Sequence, residues 1–288
     1  MLTFIPTIYQ IMHYHRRRFL KQAITGAVCI STGNTLKVLG NNFTLPPANK
    51  LKLRVAIGSD GHYGEPKTAY EQRHTEMIRL FNAEKADRGV DFAFINGDLF
   101  HNDVAFFQPM KKHWDTLTMP YFVSHGNHDM VDEETWTKTF NHGWHYGFEN
   151  KDIGFVVLNT ADVTGKYVSP DVEKTRQLLQ QYAKYGQLFV FMHITPIKWT
   201  THAIECPEIV EMFNKQFNLK AVFHGHDHDQ DSVKENAGKC YFFDSHISGS
   251  WGTDYYGYRI LEVMENGEIL TYQMNPGAKA QVNSRKLT

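Results

Sequence analysis

The chain is poor in cysteine, with three in 288 residues: Cys29, Cys206 and Cys240. No two of them stand at metal-ligand spacing, which excludes a zinc finger. Cys206 and Cys240 read as small buried hydrophobes that could pair only in an oxidising compartment. No apolar run approaches the ~20 residues a helix needs to cross a bilayer, so no stable membrane span is expected. There is no basic excess either. The 30 Lys and Arg against 31 Asp and Glu leave a net charge of −1, where a general nucleic-acid binder would carry a basic surface. No basic stripe with interleaved aromatics offers a track for a polymer. Aromatics are not scarce: at 14%, within a 42% apolar chain, they argue for a packed core rather than disorder.

Histidine is abundant, with 16 residues, nine of them (62, 101, 125, 128, 193, 224, 226, 228, 246) inside or near five polar clusters. In chain order these clusters are Asp60-Gly61-His62, Gly97-Asp98, Gly126-Asn127-His128-Asp129, His193, and His224-Gly225-His226-Asp227-His228. They supply nitrogen and oxygen donors and no sulfur, the set that hard and borderline divalent ions take. Seven such donors suffice for two ions sharing one carboxylate, an arrangement suited to displacement at phosphorus.

Periodicity places each cluster just after a strand. The pattern predicts strands over 51–59, 92–96, 121–124, 154–159, 188–193 and 221–224. Helices are predicted over 70–88, 104–117, 170–185 and 207–217, the third started by Ser169-Pro170. Four further strands (230–234, 240–244, 258–264, 268–274) follow, the last two joined by an Asn-Gly turn at 266–267. Alternating strands and helices imply a largely parallel sheet, and the closing run of strands implies a second antiparallel sheet or an edge. Ligands in such folds gather outside the carboxyl ends of strands, where five loops distant in sequence can converge. Asp60 and His62, like His226 and His228, are two apart, so on extended chain both members of a pair can face one ion. Each cluster alone is weak: a Gly-Asp pair is usually a turn, and a lone His is usually a hydrogen-bonded one. The ordered set of five is what carries the reading. By the same alternation Asp227 and Asp229 should point away from the ions into solvent.

On these motifs the chain resembles the calcineurin-like metallophosphoesterase superfamily, whose signature is Asp-x-His, Gly-Asp, Gly-Asn-His-Asp/Glu, a lone His and Gly-His-x-His. The match runs from about residue 53 to about 264. The resemblance implies an α/β fold, a four-layer α/β/β/α sandwich of two mixed sheets flanked by helices. It implies that Asp60, His62 and His228 hold one divalent ion, that Asn127, His193 and His226 hold a second, and that Asp98 bridges them, with Mn, Fe or Zn as the expected metals. A metal-bridging hydroxide would attack phosphorus, and His128 would assist the leaving group. His101, Asn102, His224 and His246 are candidate substrate contacts or supports of the ligands. The sequence departs from the phosphoprotein phosphatases of this superfamily, which place an Asp where His101 stands and supply a phosphate-gripping arginine. It departs from purple acid phosphatases too, which place a metal-binding Tyr there. The partner of His128 is thus left open. The expected activity is hydrolysis of small phosphate esters, diesters ahead of monoesters. A non-catalytic scaffold is set aside because all seven ligands and His128 are present. Trp251 and Tyr255-Tyr256 read equally as pocket wall or as ordinary core.

Residues 1–35 resemble a twin-arginine export signal. Arg16-Arg17-Arg18-Phe19-Leu20-Lys21 is followed by a mildly apolar stretch from Ala23 to Thr32, with His15 where Ser or Thr is usual, and Met12 offers an alternative start. Removing the segment would take away four basic residues and no acid, moving the net charge from −1 to −5. The expected organisation is a signal-like segment over 1–35, a linker over 36–50, a metallophosphoesterase domain over 51–276 and a frayed tail over 277–288, with a periplasmic location.

Overall fold

In the computed structural model the described residues are 29–32, 35–38, 41–43 and 50–287. Two compact units divide the chain at Asn49/Lys50. Of the first, three short strands are described: β1 (Cys29–Thr32), β2 (Thr35–Val38) and β3 (Asn41–Phe43), in an antiparallel meander. The expected linker therefore contains paired strands, consistent with the alternation of Leu36 and Val38 with polar neighbours. Arg16 and Arg17 lie outside the described residues. No helix among the described residues is long and apolar enough to cross a membrane.

The second unit begins with β4 (Leu51–Gly58), whose residues from Leu53 onward are all buried. A strand buried on both faces needs a partner layer on each side. Here Leu53, Val55 and Ile57 enter one core, and Ala56 enters another. The same parity runs through β5 (Phe92–Asn96), where Phe92 and Phe94 face inward and Ala93 and Ile95 face helices. One sheet orders β15-β14-β13-β4-β5-β6, with β6 at Tyr121–Ser124, β13 at Tyr258–Met264, β14 at Ile269–Asn275 and β15 at Ala280–Leu287. Its strands β4, β5 and β6 are parallel, and β13 pairs antiparallel to β4. The other sheet orders β11-β12-β10-β9-β8-β7, from β7 (Tyr146–Asn150), β8 (Ile153–Leu158), β9 (Leu188–Met192), β10 (Leu219–His224), β11 (Val233–Asn236) and β12 (Lys239–Phe243). Between the sheets lies an aromatic core, with Phe94 and Phe191 stacked across it at 3.8 Å.

Helices cover both outer faces. The first sheet packs α1 (Tyr70–Arg88), α2 (Phe107–Trp114) and α3 (Glu133–Phe140), and the second packs α4 (Val172–Tyr182) and α5 (Pro207–Lys215). The result is the expected α/β/β/α arrangement of two mixed sheets. Cys206 and Cys240 are both buried and free, and they belong to cores on opposite faces of the second sheet.

Several expectations fail for local reasons. Helix α3 lacks a long apolar stripe and is held by Asp132, whose side chain accepts from the Thr135 N–H, and by Asn141 in left-handed conformation at its end. Helix α4 starts at an Asp171 cap rather than at Ser169-Pro170. The β7–β8 turn uses Lys151 and Asp152, both at positive φ, in place of an Asn-Gly signal. Of the two alternatives for the closing strands, the edge holds: β11 and β12 extend the second sheet, and β13, β14 and β15 extend the first in antiparallel pairs. The tail expected to fray supplies β15, because its Leu287 reaches the inter-sheet core opposite Ile269.

Candidate metal centre

The carboxyl ends of β4, β5, β6, β9 and β10 meet at one end of the sandwich. Asn96, at the end of β5, ties them together. Its Nδ2 donates to the Phe223 carbonyl at 3.1 Å, its Oδ1 accepts from Ser124 Oγ at 2.7 Å, and its own carbonyl accepts from Ser59 Oγ and His193 Nδ1. Loop-to-loop bonds continue beyond the strands: Asp60 N–H to the Gly97 carbonyl, His62 N–H to that of Asp98, and Gly225 N–H to that of His193. Five residues that carry or flank the site (Asp60, His62, Asp98, Asn102 and His226) adopt positive φ, a conformation costly for side chains other than glycine and concentrated at functional sites. A Cβ at Gly225 would run into Ser59 Oγ and the Asp60 carboxylate, so only glycine lets the β10 loop approach.

This framework brings six of the seven predicted ligands together as two groups. Ligand atoms of Asp60, His62 and His228 lie within 4.8 Å of one another, as do those of Asp98, His193 and His226. In the first group His62 Nε2 and His228 Nε2 are 3.0 Å apart, and His228 Nε2 is 3.1 Å from Asp60 Oδ1. Asp98 Oδ2 stands between the groups, 3.6 Å from His62 Nε2 and 3.0 Å from His193 Nε2, the latter not aligned as a hydrogen bond. Asp98 Oδ1 accepts from the His128 N–H, which draws the Asn127 loop onto the second group.

The donor set suits a pair of cations. Asn127 Oδ1, His193 Nε2 and His226 Nε2 are buried without a hydrogen-bond partner, and these are the three atoms expected to hold the second ion. Buried polar atoms are ordinarily satisfied, so unpartnered atoms here, two of them on His193 and His226 grouped with Asp98, point to a ligand. The Asn96 carbonyl fixes Nδ1 of His193 as its donor, leaving Nε2 as the nitrogen available to an ion, and the Trp251 carbonyl does the same for His228.

Electrostatics agree. Burial alone would raise the pKa of Asp98, but His193 and His128 beside it hold the carboxyl well below its ordinary range. For Asp60, burial is likewise outweighed, by His228 and His193. Burial would lower His193, yet Asp98 and Asp60 push it up to about 10. His226 is pushed down to about 3 by burial and then by His193. A proton on His193 thus balances two carboxylates where a cation would do so more completely.

The remaining candidates divide. His128 Nδ1 lies 2.7 Å from Asn102 Oδ1, and the Asn102 N–H donates to the His128 carbonyl, so Asn102 is the partner that the sequence left open. His101 stacks on His128 at 4.7 Å and places its Nδ1 3.0 Å from His62 Nδ1. His246 stacks on His228 at 5.0 Å and bonds the Ser248 carbonyl. His224 does not join them. It is buried beside Tyr241 with Nδ1 at the Met192 carbonyl, on the helix side of the second sheet. Strand alternation stops at Gly225, and the positive φ of His226 turns the next side chains to the site while His224 stays behind. Asp227 faces away from the ligand groups as expected but is buried against Thr200 Oγ1 rather than solvated; Asp229 is exposed.

Sequence reasoning missed Asp129, whose carboxylate accepts from the Phe100 and Gly126 N–H groups and pins two site loops together. It also missed Tyr167 and His202. With Trp251, His62, Asp98, His128, His226 and His228 they line a cleft of about 290 Å³ over the ligand groups.

Residues 53–230 match the calcineurin-like phosphoesterase family model. The chain belongs to the calcineurin-like phosphoesterase family. It is a metal-dependent phosphoesterase, and its two Asp/His groups could each hold a metal ion. A search of curated proteins returned no match. Among solved structures it is similar to a dimetal phosphatase from Danio rerio, at 11% identity and TM-score 0.64, over 83% of this chain and 99% of that one. It is also similar to a purple acid phosphatase from yellow lupin seeds, at 12% identity and TM-score 0.60, over 88% of this chain and 58% of that one. At such identities the likeness is one of fold.

Proposed function

We propose that this phosphoesterase acts on small phosphodiesters, with Asp60, His62 and His228 holding one divalent ion, Asn127, His193 and His226 the other, and Asp98 both. When bound, the ions polarise phosphoryl oxygens and acidify a shared water. The observation that carries the diester reading is the charge of the cleft. No Lys or Arg is among its lining residues. With two divalent ions bound, Asp60, Asp98 and a shared hydroxide would together cancel three of their four positive charges, and the remaining one suits the single negative charge of a diester. A monoester dianion would gain from an added cation, and none is supplied.

The protein's own groups complete the reaction. Asn102 Oδ1 accepts from His128 Nδ1–H, which leaves Nε2 as the atom that, in the doubly protonated imidazolium, gives its proton to the leaving oxygen. The neutral amide orients the ring without adding a negative charge that would compete with substrate. His101, stacked on that ring, restricts its rotation. His62, His226 and His228 line the cleft and would hold the ions there.

The test is hydrolysis of bis-p-nitrophenyl phosphate and p-nitrophenyl phosphate by protein reconstituted with manganese. A higher kcat/KM on the diester supports the proposal. A higher value on the monoester contradicts it, and no rate on either, with both ions bound, would make the chain a scaffold.

A further inference from the structure

The mouth of the cleft has an aromatic rim that ion binding does not require. Trp251 stacks on His228 with ring centroids 4.5 Å apart and planes 5° from parallel, while 45% of its surface stays exposed. Tyr167 stands edge-on to His226 at 4.9 Å and is 38% exposed. His202 fills the interval, 6.0 Å from His226 and 6.1 Å from Trp251. Among the described residues five large hydrophobics are exposed, and two of them sit on this rim.

Their loops are built to hold them there. The Trp251 carbonyl lies 3.2 Å from His228 Nδ1, so backbone and ring both grip the same imidazole. Gly252, at φ 130°, lets the loop close over His228, where a Cβ would come within 2.6 Å of the His228 Cβ. Tyr167 pairs with Ala161 across a turn whose Asp162 carboxylate accepts from the Thr164 and Lys166 N–H groups. Lys198 spends its ammonium on the Thr201 and Ala203 carbonyls, bracketing His202 rather than reaching the cleft. Exposed, preorganised and aromatic, such a rim recognises a flat apolar group.

The order of contacts says which end of the substrate meets it. From His128 the rings run to His62 at 4.8 Å, to His228 at 4.9 Å, and then to Trp251. The proton donor and the tryptophan are therefore separated by two imidazoles along this side of the mouth. We propose that Trp251 and Tyr167, with His202 between them, bind a planar aromatic substituent of the phosphate ester. Resting on the diester reading, this is the substituent retained on phosphorus while the other leaves at His128.

Calorimetric titration of the manganese-loaded protein with phenylphosphonate and methylphosphonate tests the rim without catalysis. The wild type should bind the phenyl compound roughly tenfold tighter, the scale of one aromatic stack. Trp251→Ala should abolish that preference, and Trp251→Phe should keep most of it. Equal binding of the two compounds by the wild type, or an undiminished phenyl preference in Trp251→Ala, would overturn the proposal. A phenyl preference that depends on Trp251 in a protein that cleaves no diester would uphold the rim and overturn the diester reading alone.

Discussion

The two ligand groups differ in how far they satisfy themselves. In the first, His228 Nε2 lies 3.0 Å from His62 Nε2 and 3.1 Å from Asp60 Oδ1, so the group can share a proton. In the second, Asn127 Oδ1 and His226 Nε2 are buried with no hydrogen-bond partner, while His193 Nε2 faces Asp98 Oδ2 at 3.0 Å. Each unpartnered buried polar atom costs a fold about 1–3 kcal/mol. The fold therefore bears a penalty at the second group that an ion removes, and bears little at the first. Affinity is prepared in one half by leaving donors free, and in the other by a cluster that must exchange a proton for a cation.

The largest effect should come from removing what both halves share. Asp98→Asn should lower the content of both ions, read by elemental analysis, and cut kcat/KM by roughly a thousandfold, since ions contribute several kcal/mol of charge stabilisation. Full occupancy of both ions in that variant would refute the bridging role. Next, His128→Ala should leave both ions bound and lower kcat by about a hundredfold or more. Asn102→Ala should cost less, about tenfold, because it frees the ring without removing it. Equal losses in the two variants would mean that Asn102 does more than orient.

The contrast between the halves can be tested without catalysis. In protein stripped with a chelator, His228→Ala removes a bonded group and should destabilise by about 1–2 kcal/mol, read by urea denaturation. Asn127→Ala removes an unpartnered atom and should leave the stripped fold as stable or slightly more so. It should, however, abolish the stabilisation that manganese confers on the wild type. If the stripped Asn127→Ala protein is the less stable of the two, the asymmetry is wrong.

Much of this was legible beforehand because strand parity and cluster order are local signals. Residues 60, 62, 98, 127, 193, 226 and 228 each follow a strand, and the strands of an α/β sandwich end together. What was not legible depends on long-range geometry. His224 has the same two-residue spacing as its neighbours, and only the turn at His226 sends it to the other face. Asn102 reaches His128 because it adopts φ 63°, and Trp251 and Tyr167 line one cleft because loops 84 residues apart in sequence reach it. The strand at Ala280–Leu287 is polar on its exposed face and reveals itself only through Leu287.

The smallest effect concerns the support of the first group. His74 is buried behind the Asp60 loop with Nε2 2.8 Å from the Gly61 carbonyl, and burial pushes its pKa down to about 4 despite that carbonyl. The unfolded chain, with a His pKa near 6.5, takes up this proton first. The neutral ring's contribution is thus fully present above about pH 6.5 and is lost as pH falls toward about 4. His125, also lowered to about 4 by burial, acts in the same direction. His74→Gln, which keeps a donor for Gly61, should flatten the loss of stability across that window. An unchanged slope would show that His74 does not set it.

The most direct measurement is anomalous diffraction from crystals grown with manganese. The account predicts two peaks: one among Asp60, His62 and His228, one among Asn127, His193 and His226, with Asp98 in contact with both. A single peak, or two peaks that leave Asp98 untouched, would contradict it.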